Sequence, residues 1–263
     1  MGRCLLVTPF FVSLVLAAGA ASGSQAVGER VPIVVDKGVL FVKALIGESR
    51  PMLFVFDPGA DSYFTEYGAR QSAGSPMLRL GSISIAAPLH VLEGDPSQLD
   101  PAHDQSLGQI AGTIGAELMH RFVLRIDYAR RELTLMDPSN FNAPDAKRLP
   151  LSVDSFGVPT IPATVNDVPG TFELDVRAPS SMLFTPFARS LGFRVPQTAK
   201  RRVDSIVIGG YRQKDVAVWI SSADGGKFAA REPLGLLGND VLAAYVITID
   251  YSRATVYVSP GAH

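Results

Sequence analysis

The feature that most constrains the fold of this chain is a pattern that occurs twice. In each half, two short runs rich in β-branched and aromatic residues flank a turn segment and end at an aspartate. The runs are 39–46 and 52–56 before Asp57, and 160–165 and 171–174 before Asp175. The two aspartates are 118 residues apart. The repetition predicts two equivalent β-structured units, each with a hairpin that leads to an acidic residue.

Further segments recur in the same order. Gly-Thr-Ile-Gly at 112–115 is matched by Gly-Leu-Leu-Gly at 235–238, and Ile-Asp-Tyr at 126–128 by the same three residues at 249–251. Both pairs are 123 residues apart. A glycine-containing turn at 80–83 likewise has a counterpart at 208–211. Internal duplication of one unit explains this shared order.

A polar, proline-containing stretch from Asp137 to Pro150 separates the two copies and is typical of a connection. We therefore predict a signal peptide over 1–26, an N-terminal lobe over 27–140, a linker over 141–150 and a C-terminal lobe over 151–263. The 24 glycines and 19 prolines favour many short strands joined by tight turns. Brief helices are expected near 66–72, 116–120, 186–191 and 239–243.

The amino terminus has the pattern of an export signal. Arg3 precedes a largely apolar run over 5–18, and Ala18-Gly19-Ala20 or Ser24-Gln25-Ala26 fits a cleavage site. The run has 14 residues, whereas a membrane-spanning helix needs about 20. An uncleaved anchor is the alternative. We expect an exported protein, periplasmic or secreted, with no stable membrane insertion after cleavage, which also removes the single cysteine, Cys4.

Charge and motif content argue against several classes of function. With 24 basic and 25 acidic residues, nothing favours binding to nucleic acid or to a membrane surface. The four histidines lack the spacing of metal ligands, and no nucleotide-binding motif is present. The sequence therefore predicts no metal and no cofactor.

From about Val31 to Pro260, the pattern resembles a bilobal, pepsin-like aspartic peptidase, and each half resembles a retropepsin-type lobe. The strands that end at Asp57 and Asp175 and the apolar-Gly steps at 113–115 and 236–238 carry the resemblance. It implies an all-β fold of two pseudo-twofold-related β-barrel lobes with a few short helices. It also implies a monomer that binds an extended peptide or protein between its lobes, with hairpins at 79–92 and 205–220 covering or lining the cleft.

The resemblance implies that Asp57 and Asp175 form a catalytic dyad. One carboxylate would take a proton from water while the other carboxylic acid gives one to the substrate carbonyl. Two carboxyl groups about 3 Å apart cannot both ionise, so they share a proton. Around them would lie two loops, formed by Pro58, Gly59 and Ala60 and by Val176, Arg177 and Ala178.

Both loops depart from the family pattern of Asp-Thr/Ser-Gly. Pro58 replaces the hydroxyl residue of the first loop, and Val176 and Arg177 replace the hydroxyl residue and the glycine of the second. A side chain at the glycine position is expected to cause strain. An Arg177 guanidinium within about 4–6 Å of a carboxylate would lower its pKa and favour two ionised aspartates; alternatively, the side chain points to solvent.

Three functions remain open on the sequence alone: an active peptidase, an inactive member of the fold that binds peptide or protein, and a β-structural protein without a functional cleft.

Several other residues have structural interpretations. Asp127 and Asp250 are expected to form turns, Tyr128 and Tyr251 to pack beside their hairpins, and Trp219 to lie in the core or in the cleft wall. Residues 94–109 are expected to form a surface loop.

Overall fold

The computed structural model describes residues 28–72, 77–86, 90–91, 108–116, 121–155, 157–194 and 196–262. The signal peptide predicted over 1–26, residues 117–120 of a predicted helix and most of the loop expected over 94–109 lie outside these ranges. Among the described residues, no helix is long and apolar enough to cross a membrane.

The N-terminal lobe is built from ten described strands and the helix α1 (Glu66–Ser72). The strands are β1 (Glu29–Asp36), β2 (Val39–Ile46), β3 (Met52–Phe56), β4 (Tyr63–Phe64), β5 (Met77–Leu80), β6 (Ile83–Ala86), β7 (His90–Val91), β8 (Ile110–Ile114), β9 (Val123–Asp127) and β10 (Glu132–Met136).

The C-terminal lobe repeats this plan with ten described strands, the helices α2 (Thr185–Ser190) and α3 (Asn239–Leu242), and a 3-10 turn (Lys227–Ala229). Its strands are β11 (Lys147–Pro150), β12 (Ser152–Val153), β13 (Pro159–Val165), β14 (Val168–Leu174), β15 (Met182–Leu183), β16 (Ala199–Ile208), β17 (Tyr211–Ile220), β18 (Gly235–Leu237), β19 (Tyr245–Asp250) and β20 (Thr255–Pro260). The protein is therefore an all-β, two-lobed molecule, as predicted.

The hairpin of each lobe forms where the sequence pattern places it, with one difference. Strands β2 and β3 have the predicted bounds. In the C-terminal lobe, the turn predicted over 166–170 contains only Asn166 and Asp167, so β14 begins at Val168. Both residues have positive φ, 48° and 62°, which asparagine and aspartate tolerate and which a two-residue hairpin turn requires.

In each lobe, the strand that leads to the aspartate has partners on both sides. Strand β3 pairs antiparallel with β2 and parallel with β8, and β14 pairs antiparallel with β13 and parallel with β18. All five residues of β3 are buried, as is usual for a strand covered on both faces. These strands deliver their final residues to the centre of the molecule.

The two lobes are joined by strands β9 and β19, which pair antiparallel. Arg125 lies opposite Thr248, Leu124 opposite Ile249, and Ile126 opposite Ile247. Because residues 123 apart are equivalent in the two halves, this register is the one that a twofold axis through the Arg125–Thr248 pair requires. The axis relates the lobes and brings their equivalent loops together.

The predicted linker over 141–150 is shorter in the structure, because its last four residues form β11. Lys147 pairs with Val258 and Pro150 with Thr255, just as Glu29 pairs with Leu135 and Pro32 with Glu132 in the first lobe. The segment Lys-Arg-Leu-Pro thus takes the place that Glu-Arg-Val-Pro takes before it. The residues of β11 were predicted to belong to the linker because this strand is short and largely exposed, and its composition therefore resembles that of a loop.

Candidate active site

Asp57 and Asp175 occupy equivalent positions immediately after β3 and β14. The Asp57 N–H donates to the Ile114 carbonyl at 2.9 Å, and the Asp175 N–H donates to the Leu237 carbonyl at 3.1 Å. Each aspartate is thereby held against the strand that ends in the apolar-Gly step of its lobe. The parallel pairing described above fixes the backbone of both acids.

The loops after the two aspartates form matching hydrogen bonds although their sequences differ. The Gly59 N–H donates to Asp57 Oδ1 at 3.0 Å, and the Arg177 N–H donates to Asp175 Oδ1 at 3.0 Å. A second donor, the Ala178 N–H, lies 2.9 Å from Asp175 Oδ1. Backbone amides can therefore orient these carboxylates without a hydroxyl group in the loop.

Glycine is not required at the second-loop position, contrary to the strain expected there. A Cβ on Gly59 would lie 3.3 Å from methyl carbons of Val158, so the first loop is closely packed by a hairpin of the other lobe. Arg177 holds the corresponding position without a positive φ, and its side chain is 41% exposed. The second loop therefore accommodates a Cβ, because the Arg177 side chain extends towards the junction between the lobes.

Glycine is required instead in the apolar-Gly steps. A Cβ on Gly115 would lie 2.0 Å from the Ala60 carbonyl oxygen, and one on Gly238 would lie 2.5 Å from the Ser180 carbonyl carbon. The N–H groups of both glycines donate to serine hydroxyls, Ser62 and Ser181, at 2.9 Å. The backbone of each loop after an aspartate is therefore in close contact with the apolar-Gly step of the same lobe.

Arg177 points to the junction rather than away from it, which decides between the two alternatives left by the sequence. Its Nη1 lies 3.4 Å from Oδ2 of Asp57, the aspartate of the opposite lobe. Asp57 is 7% exposed. The residue that replaces the second-loop glycine thus forms an ion pair across the lobes.

Arg177 acts on the pKa of Asp57 in the expected direction, but other effects outweigh it. Burial raises the pKa of Asp57 above its ordinary value, and the charge of Asp175 raises it further, while Arg177 and the Gly59 N–H lower it. The net direction is upward. The effect of Asp175 on this pKa places the two carboxyl groups within electrostatic range of each other.

A hydrogen-bonded link between the lobes involves two residues that the sequence analysis did not assign to the site. Tyr128 donates its hydroxyl to Asn239 Oδ1 at 2.6 Å, and Asn239 Nδ2 donates to the carbonyls of Gly38 and Val176, each at 2.6 Å. Burial and the charge of Asp175 raise the pKa of Tyr128, so its hydroxyl stays neutral and donates. Tyr128 was expected only to pack beside its hairpin.

Asn239 could have been noticed from the sequence because the equivalent residue of the first half is Ala116. A buried side-chain amide needs hydrogen-bond partners. Its presence at only one of two equivalent positions indicates that these partners are present only there. Its amide holds the Val176 carbonyl of the second active-site loop and the Gly38 carbonyl of the first lobe. These bonds connect the loop after Asp175 to the turn between β1 and β2 of the first lobe.

A buried ion pair lies beside the second aspartate. Glu173, two residues before Asp175, is fully buried, and its Oε2 accepts a hydrogen bond of 2.9 Å from Lys227 Nζ. Burial raises the pKa of Glu173, Lys227 opposes this, and the charges of Asp154 and Asp175 add to the rise. The sequence analysis identified neither Glu173 nor Lys227, because the pair joins residues 54 positions apart.

The other residues and hairpins discussed in the sequence analysis either stabilise local structure or differ from their predicted placement. Asp127 and Asp250 are buried and accept hydrogen bonds from the backbone and side chain of Arg130 and Arg253, three residues later, so they stabilise turns. Trp219 is 37% exposed on β17 and is not a core residue. The hairpins β5–β6 and β16–β17 occupy the regions expected to line the cleft, and the second is longer than predicted, with strands of 10 residues each.

No group of three or more metal-ligating side chains with metal-site geometry occurs in the described part of the chain.

Comparisons with known proteins agree with this architecture. The aspartic proteinase from Irpex lacteus superimposes with a TM-score of 0.58 at 12% sequence identity, over 89% of this chain and 98% of that protein. A retropepsin-like aspartic protease from Rickettsia conorii matches at 22% identity and a TM-score of 0.34, over 43% of this chain and 90% of that one. No protein-family model and no curated protein matched the sequence. The chain has the bilobal aspartic proteinase fold.

The link through Asn239 can be tested by replacing it with the residue of the first lobe. We expect Asn239→Ala to lower the free energy of unfolding by about 2–4 kcal/mol, because buried carbonyls of Gly38 and Val176 and the Tyr128 hydroxyl lose their partner. Urea unfolding measures this change. Asn142→Ala, at an exposed position, is the matched control and should change stability by less than about 0.5 kcal/mol. Equal effects of the two variants would contradict the assignment.

The raised pKa of Asp57 predicts a pH-dependent cost to folding. Above the folded-state pKa the ionised carboxylate is less stable in the protein than in the unfolded chain, and the cost disappears as the pH falls below the unfolded-state value, about 3.9. We expect Asp57→Asn to be more stable than the wild type at pH 7, with a gain that shrinks towards pH 3. Urea unfolding at both pH values tests this, with the exposed neighbour Asp61→Asn as control. A variant that is less stable at pH 7 would contradict the direction of the shift.

Proposed function

We propose that this protein is an exported, monomeric aspartic peptidase that binds an extended peptide between its lobes and hydrolyses it with Asp57 and Asp175. One observation carries the proposal. Two aspartates follow equivalent strands, accept equivalent backbone hydrogen bonds and interact electrostatically at the junction of two pseudo-twofold-related lobes. Export is supported by the pattern of residues 1–26.

The proposed chemistry requires the two carboxyl groups to share one proton. A water molecule between them would lose a proton to the ionised carboxylate while it attacks the peptide carbonyl, and the protonated carboxyl would donate to the carbonyl oxygen. The raised pKa of Asp57 supports a protonated member of the pair at acidic pH. Activity should therefore decline as the pH rises and the shared proton is lost.

Peptide cleavage with matched aspartate variants tests the dyad. We expect turnover of a peptide library between about pH 3 and pH 7, and a fall of about 10²–10⁴-fold in kcat in Asp57→Asn and in Asp175→Asn, because either change removes a proton-transfer group. Mass spectrometry of the products measures it. Asp61→Asn should retain turnover, since its carboxyl lies outside the dyad. Activity retained by both dyad variants would refute the assignment.

Arg177 should set the alkaline limit of activity. Its guanidinium lowers the pKa of Asp57, so its removal raises that pKa and lets the carboxyl pair keep its shared proton to higher pH. We expect Arg177→Met to move the basic limb of the kcat/KM profile to higher pH, while Arg177→Lys, which keeps a charge, moves it less. The exposed Arg70→Met is the control. An unchanged or lowered basic limb in Arg177→Met would contradict this role.

A second candidate function is peptide or protein binding without hydrolysis. The contact between Arg177 and Asp57 favours it, because a cation that occupies one carboxylate competes with the water that hydrolysis needs. Calorimetric binding of peptides without any cleaved product over pH 3–7 would support this function. Turnover that either dyad substitution abolishes would exclude it.

A further inference from the structure

Two acidic residues lie two positions apart where β14 ends. Glu173 is in the strand and Asp175 directly follows it, and alternate residues of an extended chain share a face. Arg177 follows in a bend whose N–H groups bond Asp175 Oδ1. The charge of Asp175 acts on Glu173, which agrees with this placement. The residue equivalent to Glu173 in the first lobe is Val55, in a wholly apolar strand. The two sides of the site therefore differ in polarity.

A contribution to folding stability does not explain why a buried glutamate occupies position 173. Its side chain is fully buried, Lys227 binds Oε2, and Oε1 is a buried atom without a hydrogen-bond partner among the described residues. A buried ion pair with an unsatisfied oxygen generally contributes less than well-packed apolar side chains, such as the valine of the first lobe. The pair does hold the ammonium group of Lys227 at a fixed place.

Lys227 is the accessible member of this pair. Its side chain is 28% exposed, against 0% for Glu173. The ammonium lies 5.6 Å from the centre of the Phe228 ring, and Phe228 packs edge-on against the buried Phe184 at 5.3 Å. The turn that carries Lys227 is thus anchored both by the glutamate and by an aromatic contact.

The groups that a ligand can reach beside Asp175 are therefore cationic, while their acidic partners lie behind them. Arg177 is 41% exposed over Asp57, and Lys227 is partly exposed over Glu173. A lysine ammonium has three donors, of which Glu173 uses one here. The remaining donors suit the carboxylate of a ligand.

We propose that Lys227, positioned by Glu173, forms a subsite that selects an acidic side chain, aspartate or glutamate, in the peptide that binds beside Asp175. The proposal rests on the proposed peptide binding between the lobes and names its substrate class. Lys227 contacts the ligand directly, and Glu173 is a positioning residue that acts through Lys227.

Binding to a protein that cannot cleave separates this subsite from the catalytic proposal. The probes are fluorescein-labelled octapeptides of neutral sequence that carry a single Glu, Gln or Lys at each position in turn, measured by fluorescence anisotropy with the Asp175→Asn protein. At one or more positions we expect the Glu peptide to bind about tenfold more tightly than the Gln peptide, the range of a charge-assisted hydrogen bond. The preference should weaken in 0.5 M salt, as expected for a partly exposed pair.

Variants of the pair identify the group responsible. Lys227→Met should reduce the Glu-to-Gln affinity ratio to about one, whereas Lys227→Arg and the exposed Lys43→Met should preserve it. Because Lys227→Met leaves Glu173 buried without its partner, the double variant Glu173→Val/Lys227→Met, which copies the valine of the first lobe, provides a second test and should show the same loss.

Several outcomes would overturn the subsite. They are equal affinity for Glu and Gln peptides at every position, a preference for Lys peptides, a Glu preference that survives in the double variant, and no binding of any octapeptide. Failure of the peptidase proposal is a different result, namely absence of cleavage by the wild-type protein, and binding to the Asp175→Asn protein is measured independently of it.

Discussion

The antiparallel pairing of β9 with β19 is the constraint on which the rest of the structure depends. Its register places Arg125 opposite Thr248, residues that are equivalent in the two halves. Since this pairing defines the twofold relation of the lobes, it also decides which loops meet at their junction. A shift by one residue would remove this correspondence, and the loops after Asp57 and Asp175 would no longer be matched.

At that junction, burial and the charge of Arg177 have opposite effects on the pKa of Asp57. Burial and the second aspartate raise the pKa of Asp57, while Arg177 acts in the opposite direction and joins the lobes by an ion pair. The amide of Asn239 fixes the second loop from behind through the Val176 carbonyl. The ion pair starts from the second loop and the amide holds the same loop, so the two halves of the candidate site are unequal.

Local patterns predicted much of the architecture. The bounds of β2, β3 and α1 follow from strand and helix signals within short segments, and the positions of Asp57 and Asp175 at strand ends follow from the repeated pattern. The linker was predicted less well, because β11 forms only through pairing with β20, more than 100 residues later. Of the two places predicted for Trp219, the core is excluded, because its strand belongs to a long hairpin on which Trp219 is 37% exposed.

By itself, the sequence determined the two lobes, their strands and the pair of acids, since each depends on residues that are near one another in the chain. Tertiary structure alone decided the direction of Arg177, the bonds of Asn239 and the pairing of Glu173 with Lys227. These contacts span 120, 63 and 54 residues, respectively, for Arg177 with Asp57, Asn239 with Val176, and Lys227 with Glu173. They form because strand pairing and burial bring distant polar groups into a volume where an unpaired polar group is costly, and no local pattern specifies which partner each group meets.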